Sequence, residues 1–165
     1  TKTLHDYLSR FPRTPQPIDV ITEGPYGHAT TLQHADRVLC IGGGVGITAL
    51  TGYVQQYTTA RRCGKPAASR LLLAWTAREP GLVGVVQDMI PKDAGDHGVQ
   101  LMLDCTAEGN RLNIADLVAT EAAGTQRLAV VVCGPASMAD EVRRQVVANL
   151  GKGAKIDLHV ESFTW

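Results

Sequence analysis

The chain has 165 residues, which argues for one domain with room for no more than a fragment of another. Sixteen Lys and Arg balance sixteen Asp and Glu, so no basic surface argues for nucleic acid and no charge run for a disordered tail. The 44% hydrophobic content suits a globular core, while no apolar run reaches membrane-spanning length and no signal peptide is visible.

Thr1 to Leu8 reads as a short helical turn, and the three prolines between Phe11 and Pro17 exclude regular structure there. Ile18 to Thr22 alternates and reads as a strand, followed by a turn over Glu23-Gly24-Pro25-Tyr26-Gly27. This opening is too short to be a domain. Residues 1–27 are therefore expected to be the closing edge of a preceding domain, 28–36 a linker, and 37–165 the main unit. The chain opens at Thr1 without a Met and reads as an excised piece.

From Arg37 a strand–helix pattern repeats. The first strand covers 37–42, and its helix runs from about Gly46 to about Arg61. A polar loop, Arg61 to Ser69, leads to a second strand, Arg70 to Thr76. Gly81 to Ile90 is helical and stops at Pro91; Val99 to Asp104 is the third strand. Asn113 to Ala122 is a short helix with Asn113 as its N-cap. Arg127 to Cys133 is the most apolar strand. Ala136 to Leu150 is an amphipathic helix with Met138, Val142, Val146 and Leu150 on one face, ended by Gly151 and Gly153. Lys155 to Val160 is the fifth strand.

Continuous apolar strands alternating with helices predict an α/β, Rossmann-like three-layer sandwich. Its five-stranded parallel sheet should have the order 3-2-1-4-5 and helices on both faces. Ligands then bind at the carboxyl ends of the strands. That rim should carry the glycine loop, Thr76-Ala77-Arg78, Thr106-Ala107-Glu108, Cys133-Gly134-Pro135 and the terminal residues 162–165.

The most informative stretch is Val38 to Leu50, VLCIGGGVGITAL. A strand feeds Gly42, Gly43, Gly44, Val45 and Gly46, and a helix begins at once. Glycines let backbone approach an anion, and a helix N-terminus offers free N–H groups with partial positive charge. Gly44, Gly46 and Ala49 fit the dinucleotide fingerprint G-x-G-x-x-A. Thr48 has two readings, a phosphate ligand or a local helix cap. Arg78, after the second strand, suits the 2′-phosphate of NADP, whereas Glu79 beside it would suit a ribose hydroxyl; a solvated Arg–Glu pair is the plain alternative. Cys40, Cys63, Cys105 and Cys133 show no metal-ligand spacing, so no metal site is expected, and Cys40 and Cys105 read as small core residues. The five His residues are scattered without mutual spacing.

Taken in order, EGPYG at 23–27, IGGGVGITAL at 41–50, Trp75-Thr76-Ala77-Arg78, Cys133-Gly134-Pro135 and a terminal aromatic resemble the ferredoxin–NADP reductase superfamily. The resemblance is to its membrane branch, the ferric-chelate reductases and NADPH oxidases, and Trp165 looks more like the reductases. It implies an NADPH-binding domain that passes hydride to an FAD held mostly by a preceding barrel. Haem would sit in a transmembrane domain of the same polypeptide, with this soluble piece on the cytosolic face. It implies that Gly42 to Gly46, Thr48, Thr76, Arg78 and Arg111 contact the nucleotide. The Cys133-Gly134-Pro135 turn would lie under the nicotinamide, Trp165 (or Phe163) would stack on the flavin, and Glu161 would be a polar partner. Two departures stand out. Ala49 replaces a frequent Pro, and Gly109-Asn110-Arg111-Leu112 replaces a Gly-Arg-Pro run. A superoxide-producing oxidase and a non-catalytic nucleotide-binding module are the competing readings.

Overall fold

The computed structural model describes residues 2–11, 14–19, 32 and 34–161. Helix α1 (Lys2–Leu8) buries none of its residues. The domain proper is β1 (Arg37–Gly43), α2 (Ile47–Arg62), β2 (Arg70–Ala77), α3 (Gly81–Met89), β3 (Val99–Cys105), α4 (Ile114–Ala122), β4 (Arg127–Cys133), α5 (Ala136–Asn149) and β5 (Lys155–Glu161). All strand pairs are parallel, in the order β3-β2-β1-β4-β5. The expected α/β sandwich is therefore present.

The alternation of side chains along each strand creates the three layers. Val38, Cys40, Leu71, Leu73, Trp75, Val131 and Cys133 face α2 and α3, where they meet Ile47, Leu50, Val54 and Val86. Leu39, Ile41, Leu72, Ala74, Leu128, Val130 and Val132 face α4 and α5, where they meet Leu117, Val118, Val142 and Val146. Strands buried on both faces carry apolar residues at every position, which is why β1, β2 and β4 lack any polar alternation.

Element ends are set by local chemistry. The Asn113 side chain accepts a hydrogen bond from Asp116 N at 3.2 Å and caps α4. Extended backbone at Ile90, just before Pro91, stops α3. At Leu150 the backbone also turns extended, and its side chain is exposed rather than on the buried face of α5. The helical period cannot carry that residue inward once the helix has ended at Asn149. Two short 3-10 turns, Gly95–His97 and Thr106–Glu108, flank β3 in stretches without a periodic pattern. Ile18 and Asp19 carry no regular structure; the rest of that predicted strand, the EGPYG turn and the terminal residues 162–165 lie outside the described residues.

At the end of the sheet away from the strand C-termini, charged groups tie the strands together. Arg70 forms a pair with the buried Glu121 at 2.6 Å, and Arg37 donates to the carbonyls of Glu121 and Ala123. Asp36 accepts from the backbone N–H groups of Gln126 and Arg127.

Candidate functional site

In a sheet ordered 3-2-1-4-5 the chain leaves β1 toward one side and β4 toward the other, which opens a crevice between their carboxyl ends. The structure has an open cleft of about 620 Å³ there, within the usual range for small-molecule sites. Its lining brings together Gly43 to Gly46, Thr76 to Arg78, Thr106, Cys133 to Pro135, Met138 and Glu161. Five segments far apart in sequence therefore meet at one place.

The glycine loop has a defined shape. Gly44 adopts φ +53°, the left-handed region, and Gly44–Gly46 forms a 3-10 turn running directly into α2. Gly46 is buried against β4: a Cβ there would lie 2.0 Å from the Cys133 carbonyl oxygen. At Gly134 a Cβ would meet Gly43 N at 3.1 Å and Met138 Sδ at 2.9 Å. The two turns thus touch through bare backbone, and side chains at these positions would fill the crevice floor.

Gly42 does not reach the cleft. Its Cβ position is occupied by Leu50 Cδ1 and Trp75 Cδ1, so it serves packing beneath the loop. Thr48 and Arg111 are exposed and stand outside the lining. The Thr48 hydroxyl donates to Val45 O at 2.9 Å, a bond back to the preceding turn and not a helix cap, since α2 has Gly46 as its N-cap and no side-chain cap. Arg111 follows the Thr106–Glu108 turn, which ends at Gly109 in the left-handed region, and it is not among the residues that line the crevice.

Arg78 is exposed at the end of β2, and among the described residues its guanidinium has no ion-pair partner, Glu79 included. Its backbone is held from β3: Cys105 Sγ donates to Arg78 O at 3.2 Å, and Thr106 Oγ1 donates to Ala77 O at 3.2 Å. A fixed backbone with a free cationic head on the rim is suited to an anionic group. Thr76 is 8% exposed, and its hydroxyl is buried with no hydrogen-bond partner among the described residues. A buried, unsatisfied hydroxyl is costly, and one at a cleft is explained by a group that pairs with it on binding.

Cys133 ends β4 and lies opposite Glu161 in the ladder. Burial, and then the nearby Glu161 carboxylate, push its thiol above the ordinary range. A neutral, small thiol leaves room at the crevice floor and is a poor nucleophile. The Tyr53 hydroxyl donates to Glu161 Oε1 and holds that carboxylate from α2. Tyr53, Trp75 and Met138 are contributors that the motif reading did not assign to the site. Trp75 stood in the Trp75-Thr76-Ala77-Arg78 motif without a role of its own, and Met138 only on the apolar face of α5, a signal that does not separate a core residue from one that braces a loop.

No protein-family profile matches the sequence, and no curated protein does so significantly. Among solved structures, the fold is similar to that of flavohemoglobin from Malassezia yamatoensis, determined with bound FAD and haem. The match has a TM-score of 0.57 at 16% identity and covers 81% of this chain. This chain spans 35% of the flavohemoglobin chain, so the likeness is of one part of it.

Proposed function

We propose that the chain is the NADPH-binding domain of a flavin- and haem-dependent oxidoreductase of the ferric reductase type. The observation that carries this reading is the meeting of the Gly43–Gly46 loop, the Cys133-Gly134-Pro135 turn and Arg78, unpaired among the described residues, around one cleft at the β1/β4 switch point. The flavohemoglobin with the similar fold binds both FAD and haem, which supports the same pairing in the parent of this chain. By resemblance to the reductases, Trp165 favours a ferric chelate over dioxygen as final acceptor. No helix among the described residues is long and apolar enough to cross a membrane, so the transmembrane haem domain of this reading would be a separate segment of the parent.

The residues fit the nucleotide. The glycine loop would take the pyrophosphate on its backbone N–H groups at the start of α2. Arg78 would take the 2′-phosphate with charge-assisted hydrogen bonds, and Thr76 would gain the partner it lacks. Gly134 and Pro135 would let a flat ring lie close to the end of β4, with Cys133 giving space beneath it and Glu161 a polar edge. When bound, the cofactors supply the redox chemistry itself, hydride donation by NADPH and acceptance by FAD. The chain's own part is orientation and shielding from water; it has no proton to move.

Calorimetric titration tests this reading. NADPH should bind more tightly than NADH, and Arg78→Ala should weaken NADPH by about 10- to 100-fold, as expected for charge-assisted hydrogen bonds worth about 1.5–3 kcal/mol. Equal affinity of the wild type for both nucleotides would remove Arg78 from the proposal.

A further inference from the structure

Trp75 is the largest fully buried side chain of the domain, yet it is not purely apolar packing. It pairs in register with Gly42 across the β1–β2 ladder and sits directly beneath the glycine loop. Its indole Nε1 donates to Gly44 O at 2.8 Å. The same carbonyl accepts from the N–H of Ile47, the first residue of α2. The Gly44 carbonyl is therefore turned inward and held by two donors.

In a trans peptide the C=O and the following N–H point in opposite directions. An inward Gly44 carbonyl thus turns the Val45 N–H outward, toward the cleft that Val45 lines. Reversing that peptide would rotate Val45 toward positive φ, which a β-branched residue resists, and no described non-glycine residue has positive φ. Glycine at 44 supplies the left-handed φ the turn needs, but it also leaves the loop free to rearrange. The indole removes that freedom.

We infer that Trp75 is a positioning residue. Its indole N–H locks the Gly44–Val45 peptide so that the Val45 N–H is aimed at an anionic diphosphate before any ligand arrives. This rests on the nucleotide reading above and adds a residue that never touches the nucleotide. The preorganisation has a clear energetic sense. A donor already aimed need not be ordered at binding, and the saving appears as affinity for the diphosphate alone.

The test is Trp75→Phe, which keeps a buried ring and removes the N–H; Trp75→Ala would leave a large cavity and confuse folding with binding. Gly44 O keeps its bond from Ile47, so the Phe variant should fold, checked by its unfolding midpoint. Titration is made with NADP+, which carries the diphosphate, and with 2′-AMP, which has the 2′-phosphate but no diphosphate. The expected result is NADP+ about tenfold weaker in Trp75→Phe and 2′-AMP within twofold of wild type. Unchanged NADP+ affinity, or equal losses for both ligands, overturns the inference. Should wild type bind neither ligand, the nucleotide reading fails by itself. Inorganic pyrophosphate followed by the Val45 amide resonance then decides the loop: a shift that weakens tenfold in Trp75→Phe upholds the inference, and an unmoved Val45 amide ends it.

Discussion

Gly46 and the Cys133 carbonyl are in direct backbone contact: a Cβ added at Gly46 would fall 2.0 Å from that oxygen. Gly44, two residues earlier, faces open space, and only its φ of +53° demands glycine. The two fingerprint glycines therefore do different work. Gly46→Ala must push backbone apart and should cost about 2–3 kcal/mol, at the upper end for overpacking. Gly44→Ala meets nothing and should cost only about 1–2 kcal/mol of left-handed strain. Urea unfolding of both variants measures the difference; a Gly44→Ala loss equal to or above that of Gly46→Ala contradicts it.

Cys133 and Glu161 give a prediction that depends on pH. Burial and the Glu161 charge both raise the Cys133 thiol. Removing the charge in Glu161→Gln leaves burial alone, so the thiol's folded pKa should drop toward its usual value. Iodoacetamide labelling of Cys133 should then begin at lower pH. The exposed Cys63 is removed as Cys63→Ser, Cys40 is pushed up to about 12 by burial, and peptide mass spectrometry reads the label at Cys133 separately from Cys40 and Cys105. A labelling profile that does not move, or moves to higher pH, is the contrary result.

The Tyr53–Glu161 hydrogen bond links α2 to the end of β5 across 108 residues of sequence. A hydrogen bond to a charged acceptor contributes about 1.5–3 kcal/mol. Tyr53→Phe should lose about that much in wild type and markedly less in a Glu161→Gln background, where the acceptor is neutral. The double-mutant cycle by urea unfolding isolates the coupling. Purely additive losses would mean that the Tyr53 hydroxyl contributes independently of the Glu161 charge.

Arg78 and Arg111 separate a cleft residue from a bystander. Only Arg78 belongs to the cleft lining. Arg111→Ala should leave NADPH affinity within about twofold, against the 10- to 100-fold loss expected for Arg78→Ala. Comparable losses in the two variants would show that the loop after β3 folds over the cleft when the nucleotide binds.

Acid stability should depend on Asp93. Arg62 donates to its carboxylate and pulls its pKa down to about 2 from an ordinary 3.8, with His97 as a further neighbour. A folded pKa below the unfolded one means stabilisation that is complete above about pH 4 and fades as pH falls toward about 2. The melting temperatures of wild type and Asp93→Asn should therefore differ most near neutrality and converge at about pH 2. The gap should shrink in high salt because the pair is exposed. A gap that widens on acidification has the wrong sign for this pair.

The sequence by itself determined the sheet, its order and the ends of most elements. Strands buried on both faces must be apolar throughout, helices covering them must show a 3.6-residue stripe, and β1, β2 and β4 with α2 and α5 obey both rules. It also placed Gly44, Arg78 and Cys133 on one rim, because strand ends in a parallel sheet share an edge. Only the tertiary structure decided which rim residues face inward. Gly42 and Thr48 belong to the glycine motif, yet one packs against Leu50 and Trp75 and the other bonds back to the Val45 carbonyl. Trp75 and Tyr53 are buried in the core, yet each sends one polar atom to brace the site. Such roles rest on contacts between residues 31 and 108 positions apart, set by how helices settle on the sheet, and no local pattern encodes them.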